Sequence, residues 1–417
     1  PILFDHAKAQ PQITIINRAR LADFTQDDHG VTGTIEDLDT GAQTTTTARY
    51  LIGCDGAHST VRRKIGASLQ GDPVLEHRQS SYIRAPALRS AIPTKLAWAN
   101  TSLNPRRSAN MFAIDGKETW LVHNYMRPGE TFDSVDREWC IRQILGVGPS
   151  FPFEIIAKED WTARRMIADK FRDRRVFLCG DASHIWVPNA GYGMNAGIAD
   201  AMNLSWMLAG VLQGWAEPAI LNAYEAERMP ITEQVSHYAM DTCINLAKQR
   251  GGIPPNIEDP GPAGDEVRAR VGQDAYDINV GQFCCGGLNF GYFYDNSPLI
   301  AYDGEKAPSY TIYDFQQSTV PGCRTPHIVL PDGGSLYDNL GPAFTLLRFS
   351  AAVDVSGIVS AAAKRQVPLT VLDCEPDKSA YPEKLVLSRP DQHVAWRGNK
   401  PPAEPLELID RIRGALI

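Results

Sequence analysis

Two segments of the chain hold residues of the kind that grip a polar ligand. The first is Tyr50-Leu-Ile-Gly-Cys-Asp55-Gly56-Ala-His-Ser-Thr-Val-Arg62-Arg63. A short apolar run reaches Asp-Gly and then a helix start, with Ser59 and Thr60 as candidate caps. Gly56 lets the backbone come close to a ligand, and Arg62 lies far enough into the helix to meet a phosphate. A plain strand–turn–helix with a capped N-terminus is the competing reading. The second segment runs from Arg175 to Leu204. Its buried strand ends in Gly180-Asp181, and a carboxylate at a strand end can accept hydrogen bonds from a sugar or polyol hydroxyl. Pro188 follows, and then Gly191, Gly193, Met194, Asn195 and Gly197 open a helix. Free amides and the positive dipole end at such an opening favour an anion. The spacing is Gly-x-Gly-x-x-x-Gly, which differs from the Gly-x-Gly-x-x-Gly of dinucleotide sites. A loop that only permits tight helix packing is the alternative here. His184 between the two parts is either a proton relay or a residue that positions the loop.

These residues need elements to hold them. Residues 2–9 suit the end of an amphipathic helix. Residues 13–16, 19–25, 30–38 and 43–48 read as an antiparallel meander, with Asp39-Thr40-Gly41 as its last turn. Residues 50–54 and 175–179 are short buried strands, and ligands in open α/β sheets sit beyond the carboxyl ends of such strands. Residues 67–165 alternate apolar and polar positions and read as a β-sheet region. A long helix begins near Met194. A second spans 219–249, with a kink expected at Pro230, and residues 251–264 read as a Gly/Pro-rich linker. From about 301 onward, strands at 344–349, 369–373, 385–388 and 394–397 alternate with helices at 355–365 and 406–416. That order suggests a small α/β domain of thioredoxin-like shape. Cys323 and Cys374 are isolated, and dithiol chemistry needs two nearby thiols, so this domain should be redox-silent.

Composition narrows the classes further. The chain has 417 residues with 43% hydrophobic and 22% charged residues, as in a globular protein of two to four domains. The formal charge of −8 argues against a nucleic-acid partner, which would require concentrated Lys and Arg. No uncharged apolar stretch is long enough to span a membrane. The eight cysteines are scattered without metal-ligand spacing. They read as reduced thiols of a cytoplasmic protein, with no metal site and no disulfide framework.

Together the two ligand-gripping segments resemble the group A flavoprotein monooxygenases, the FAD-dependent aromatic hydroxylases. The family's Asp-Gly motif is matched by Asp55-Gly56 and its Gly-Asp motif by Gly180-Asp181. Its following elements are matched by Pro188, by residues 191–195 and by Asp200-Ala-Met-Asn203-Leu204. In the tail, 291–298, 321–327, 332–340 and 389–397 are similar to the phenol hydroxylase branch, which ends in a redox-silent thioredoxin-like domain. The resemblance implies an α/β fold: a discontinuous Rossmann-like FAD-binding domain over 1–66 and 166–250, a β-sheet substrate domain over 67–165, a connecting segment over 251–300 and a thioredoxin-like domain over 301–417. It implies that Asp181 holds the FAD ribityl chain and that residues 191–195 place amides at the flavin N1 and C2 oxygen. Asp55, Gly56 and Arg62 would lie near the pyrophosphate and the nicotinamide's approach, and Pro188 would border the face that reacts with O₂.

The implied reaction uses NAD(P)H, O₂ and a flavin C4a-hydroperoxide to hydroxylate a small phenolic or related aromatic compound. Such a hydroperoxide needs a dry pocket. Trp98, Met111, Phe112, Trp120, His123 and Tyr125 are candidates for its wall, with core packing as the competing role for each. A Baeyer–Villiger or epoxidising enzyme of the same fold is an alternative, and so is a non-catalytic truncated flavoprotein acting as a binding module. The resemblance allows a homodimer. The family opens with a βαβ unit bearing Gly-x-Gly-x-x-Gly, a motif this sequence lacks. The expectation is therefore that such a unit, at least about 30 residues and on the order of 100 with its neighbours, belongs before Pro1.

Overall fold

The structure is a computed structural model, and it describes residues 1–92, 95, 97–375 and 377–417. The chain divides into two compact units, one of residues 1–68 and 168–183, the other of 69–167 and 184–417.

In the smaller unit, Ala19–Gln26, Val31–Asp37 and Gln43–Ala48 form an antiparallel meander. Asp37 Oδ1 accepts from the amides of Asp39 and Thr40, at 2.9 Å each, and fixes the last turn. Residues 13–16 form no strand. Their apolar residues suggest a strand, but this stretch pairs with no strand among the described residues. Leu51–Gly53 pairs in parallel with Val176–Leu178. The helix Thr60–Lys64 folds back on this pair, and Gly53 is what allows it: a Cβ there would stand 2.7 Å from the Val61 Cβ.

The larger unit is built on a six-stranded sheet. Its order is His184–Ile185, Glu154–Ala168, Leu69–Arg84, Thr119–Tyr125, Ala109–Ala113, Ala99–Ser102. The helix Arg137–Leu145 starts where Asp136 Oδ1 accepts from the Trp139 amide at 2.7 Å and ends at Gly146 in the left-handed region. Its Ile141 and Ile144 join Ile83, Met111, Trp120 and Val122 in one core. Three long helices follow: Tyr192–Gln213, Ala223–Gly251 and Pro262–Phe283. The second runs through Pro230 as one helix. The third lies in the segment expected to be a connection. Gly264, Gly272 and Gly281 weaken its sequence signal, but Pro262 stands in its first turn, where proline is tolerated best. No helix among the described residues is long and apolar enough to cross a membrane.

The last sheet has the order Leu369–Asp373, Phe344–Arg348, Leu385–Ser388, Val394–Gly398. The first pair is parallel and bridged by the helix Ser356–Lys364. The other pairs are antiparallel, and Pro405–Ile412 closes the domain. This is the thioredoxin-like arrangement. Burial pushes the Cys323 and Cys374 thiols up to about 11, so neither is a thiolate at neutral pH.

The turn between the last two strands carries charge into the helical layer. Arg389 is bidentate to Glu227, at 2.6 and 2.7 Å, and donates to Asp391 at 2.6 and 3.0 Å. Asn203 donates to Glu227 at 2.7 Å and to Asp391 at 3.2 Å, and Ser297 also bonds Glu227. The Arg389 and Glu227 side chains are fully enclosed. Removing one member of such a buried pair leaves an uncompensated charge. Arg389→Ala is therefore expected to lower the unfolding free energy by about 3–5 kcal/mol in urea titration. Arg348→Ala, which breaks the half-exposed pair with Asp373, is expected to change it far less. Equal losses in the two variants would contradict the assignment.

Candidate active site

The Asp55-Gly56 corner lies in the smaller unit. Asp55 Oδ1 accepts from Ser59 Oγ at 2.5 Å, and Oδ2 accepts from the Thr60 and Val61 amides at 2.7 and 3.1 Å. Ser59 Oγ in turn accepts from the Arg62 amide at 2.8 Å. The carboxylate thus caps the helix it precedes. Gly56 adopts a φ of +75°. Arg62 is buried, and its guanidinium donates to the carbonyls of Ala57 and Ala182 at 2.8 Å each. It ties the Asp-Gly corner to the Gly-Asp corner, so two of its N–H groups go to the backbone. At the second corner Gly180 has a φ of +61° and opens a 3₁₀ turn. The Asp181 side chain is exposed and accepts no hydrogen bond from the described residues.

The glycine turn lies in the larger unit. Pro188 is exposed, and Ala190 and Gly191 both stand in the left-handed region, at φ +60° and +72°. The helix Tyr192–Gln213 begins directly after, with no side chain capping its first turn. Its leading amides therefore keep their donor capacity. Gly193 has an ordinary φ, and open space lies where its Cβ and that of Gly191 would stand. Asn195 donates to the Gly191 carbonyl at 2.8 Å and holds the turn, while Met194 is 74% exposed. An uncapped helix end with two bare glycines suits a flat group that carries negative charge at its edge. The residues present therefore fit a flavin.

His184, a candidate for catalysis, is enclosed instead. Its Nε2 meets Asp200 Oδ2 at 2.7 Å and its ring stacks on Trp186 at 4.5 Å. Arg228 donates to the other Asp200 oxygen at 2.9 Å. Burial pushes the Asp200 carboxyl up, but the Arg228 charge and the His184 hydrogen bond outweigh it and hold it at about 2. The carboxylate stays ionised.

The candidate wall residues divide between two sheet faces. Successive strand residues alternate sides. Met111 and Trp120 therefore point into the core beneath the helix Arg137–Leu145, away from His123. On the opposite face Trp98 stands 5.1 Å from Phe112, Phe112 5.5 Å from His123, and His123 6.3 Å from Trp161. Tyr125 shares that face, and its hydroxyl accepts from Asn110 at 3.0 Å. The sequence reading missed Ser80, Trp161 and Arg78. Ser80 Oγ accepts from Trp161 Nε1 at 2.8 Å and meets His123 Nδ1 at 2.8 Å. Burial, aided by the Arg78 charge, lowers the His123 pKa to about 4. Among the described residues no three or more His, Cys, Asp or Glu side chains cluster as a metal site would need.

Comparison with known proteins identifies the family. A family model described as an FAD binding domain matches residues 1–239, and one described as the C-terminal region of aromatic-ring hydroxylases matches 318–415. The chain belongs to this family of FAD-binding flavoproteins, the group A aromatic hydroxylases. It is 31% identical to the FAD-dependent monooxygenase apdD of Emericella nidulans, over 92% of this chain and 65% of that protein. It is 28% identical to phenol 2-monooxygenase of a Pseudomonas species, over 100% of this chain and 74% of that protein. The chain thus spans about two thirds to three quarters of the length of these relatives. Among solved structures, the rebeccamycin biosynthetic enzyme RebC with reduced flavin superposes with a TM-score of 0.86 at 34% identity, covering 95% of this chain and 74% of RebC.

The depressed His123 pKa makes a pH-dependent contribution to stability. Below its unfolded value of 6.5 the unfolded chain takes up the proton first, so this contribution is lost as pH falls from 6.5 towards 4. Going from pH 7 to pH 5, the parent is expected to lose about 2 kcal/mol more unfolding free energy than His123→Gln. Equal losses would show that His123 titrates normally.

Proposed function

We propose that the protein is an FAD-dependent monooxygenase that hydroxylates a phenolic or related aromatic compound with NAD(P)H and O₂. One observation carries the reading: the uncapped start of the Tyr192–Gln213 helix, opened by Gly191 and Gly193 after an exposed Pro188. FAD, when bound, supplies the two-electron chemistry with NAD(P)H and the activation of O₂. The chain's residues supply the rest. The leading amides of the helix stabilise negative charge at the edge of the bound ring, by up to about 2 kcal/mol in a partly buried site. Asp181 accepts from a ribityl hydroxyl. Asp55 and Arg62 hold the two corners in register through the helix cap and the Ala57 and Ala182 carbonyls. The buried His184–Asp200–Arg228 cluster keeps the Pro188 loop in place. The sheet face of Phe112, His123, Tyr125 and Trp161 offers an aromatic surface whose polar groups, among them Ser80, Asn110 and Arg78, are engaged with its own rings. With a pKa near 4, His123 is neutral at physiological pH and serves as a hydrogen-bonding group of this face. The names of the relatives, which include monooxygenases of phenols, nitrocatechols and tetracenomycins, support an aromatic substrate.

The test is product analysis on the holoprotein. An aromatic substrate should accelerate NAD(P)H oxidation and emerge with one added oxygen atom. Oxidation that yields only hydrogen peroxide, whatever aromatic is added, would contradict the reading. Asp181→Ala removes one acceptor, worth about 1–3 kcal/mol. The FAD dissociation constant should then rise about 5- to 150-fold. Unchanged affinity would remove Asp181 from the site.

A further inference from the structure

At Tyr125, the end of the aromatic face, lies a cavity of about 630 Å³, within the size range of pockets for drug-sized ligands. Val74, Leu75 and Ala247 give it an apolar side. Leu75 also packs against the core cluster that holds Val187 and Tyr192, the residues flanking the Pro188–Gly191 turn. The polar side is cationic. Arg107, Arg127 and Arg250 line it against only two carboxylates, Glu76 and Glu130. Glu130 is taken up by Arg107, in a bidentate pair whose longer bond is 3.0 Å. Glu76 is shared: it accepts from Arg78 at 2.9 Å and from Arg250. One carboxylate therefore faces two guanidinium groups. The Arg250 side chain is nine-tenths buried and lies over the Tyr125 ring, 3.6 Å from its centroid, and Arg78 lies over the same ring at 4.9 Å. A buried cation with half a counter-ion is costly unless something else neutralises it. A carboxylate matches the flat fork of a guanidinium, and an aromatic ring system matches the apolar side.

We propose that this cavity binds the acidic end of the substrate, and that the substrate class is a multi-ring aromatic carboxylate anchored by Arg250. The proposal rests on the monooxygenase reading for its biological meaning, but the cavity's preference for an acid can be measured separately. The probes are 1-hydroxy-2-naphthoate and its methyl ester, with dissociation constants read from the fluorescence of the oxidised holoprotein. The parent should bind the acid about tenfold or more tightly than the ester. Arg250→Gln should abolish that difference. Glu76→Gln, which releases both guanidinium groups, should tighten acid binding, so the idea survives a folding failure of either variant. Equal binding of acid and ester by the parent would overturn the proposal. So would an acid affinity unaffected by Arg250→Gln and Glu76→Gln. If the ester stimulates NAD(P)H oxidation as well as the acid does, this inference fails and the monooxygenase reading stands. If the acid binds through Arg250 but neither probe is oxygenated, the site stands and the test passes back to the monooxygenase reading.

Discussion

Glu227 and Arg389 meet as a fully enclosed ion pair, and much of the larger unit is arranged so that neither charge is left alone. Asp391 and Asn203 complete the cluster, and Arg389 lies over the rings of Trp206 and Tyr294 at 5.0 and 5.2 Å. Four separate segments must come together to satisfy it: the flavin-side helix, the helix after it, the loop bearing Ser297, and the hairpin of the thioredoxin-like domain. Beside it on the same two helices, Asp200, one turn before Asn203, and Arg228, next to Glu227, form a second enclosed cluster with His184 of the neighbouring strand. Apolar packing alone would let these helices slide by small steps. Buried charges do not tolerate that, because each displaced partner leaves a desolvated ion behind. In this account the thioredoxin-like region clamps the helix whose first turn is the proposed flavin site.

That clamp explains how a turn with such a weak local hold can be well placed. Ala190 and Gly191 are in the left-handed region, and the helix start has no side-chain cap. Donor groups left unsatisfied for a ligand cost stability, and the two charge clusters deeper in the helix offset that cost. The sheet face follows a similar logic. His123 gives up its charge to burial and to Arg78, and Ser80 connects it to Trp161. The surface it shares with Phe112 and Tyr125 is polar enough to orient a ring without offering it water.

Local features were legible in the sequence. Gly-Asp and Asp-Gly after apolar runs marked the two corners, and the glycines before residue 194 marked the helix opening. Strand and helix periods gave the thioredoxin-like tail nearly residue by residue. What escaped was non-local. Arg250 and Glu76 are 174 positions apart, so nothing near either one announces their pairing. Met111 and His123 were expected on one wall, but strand register decides which face each takes, and register depends on the partner strand. The same dependence left residues 13–16 without a strand. The Pro262–Phe283 helix was hidden by its own glycines and by the Gly/Pro run before it. The carbonyl partners of Arg62, Ala57 and Ala182, come from two separate stretches of chain and were not legible for the same reason.

A double-mutant cycle tests the clamp most directly. Asn203 lies on the Tyr192–Gln213 helix and Arg389 in the hairpin, and they share the partners Glu227, Asp391 and Tyr294. Unfolding free energies of Asn203→Ala, Arg389→Ala and the double variant give their coupling. The account predicts a coupling of about 1–3 kcal/mol, accompanied by weaker FAD binding in both single variants. Free energies that add within about 0.5 kcal/mol, with FAD affinity unchanged, would contradict it.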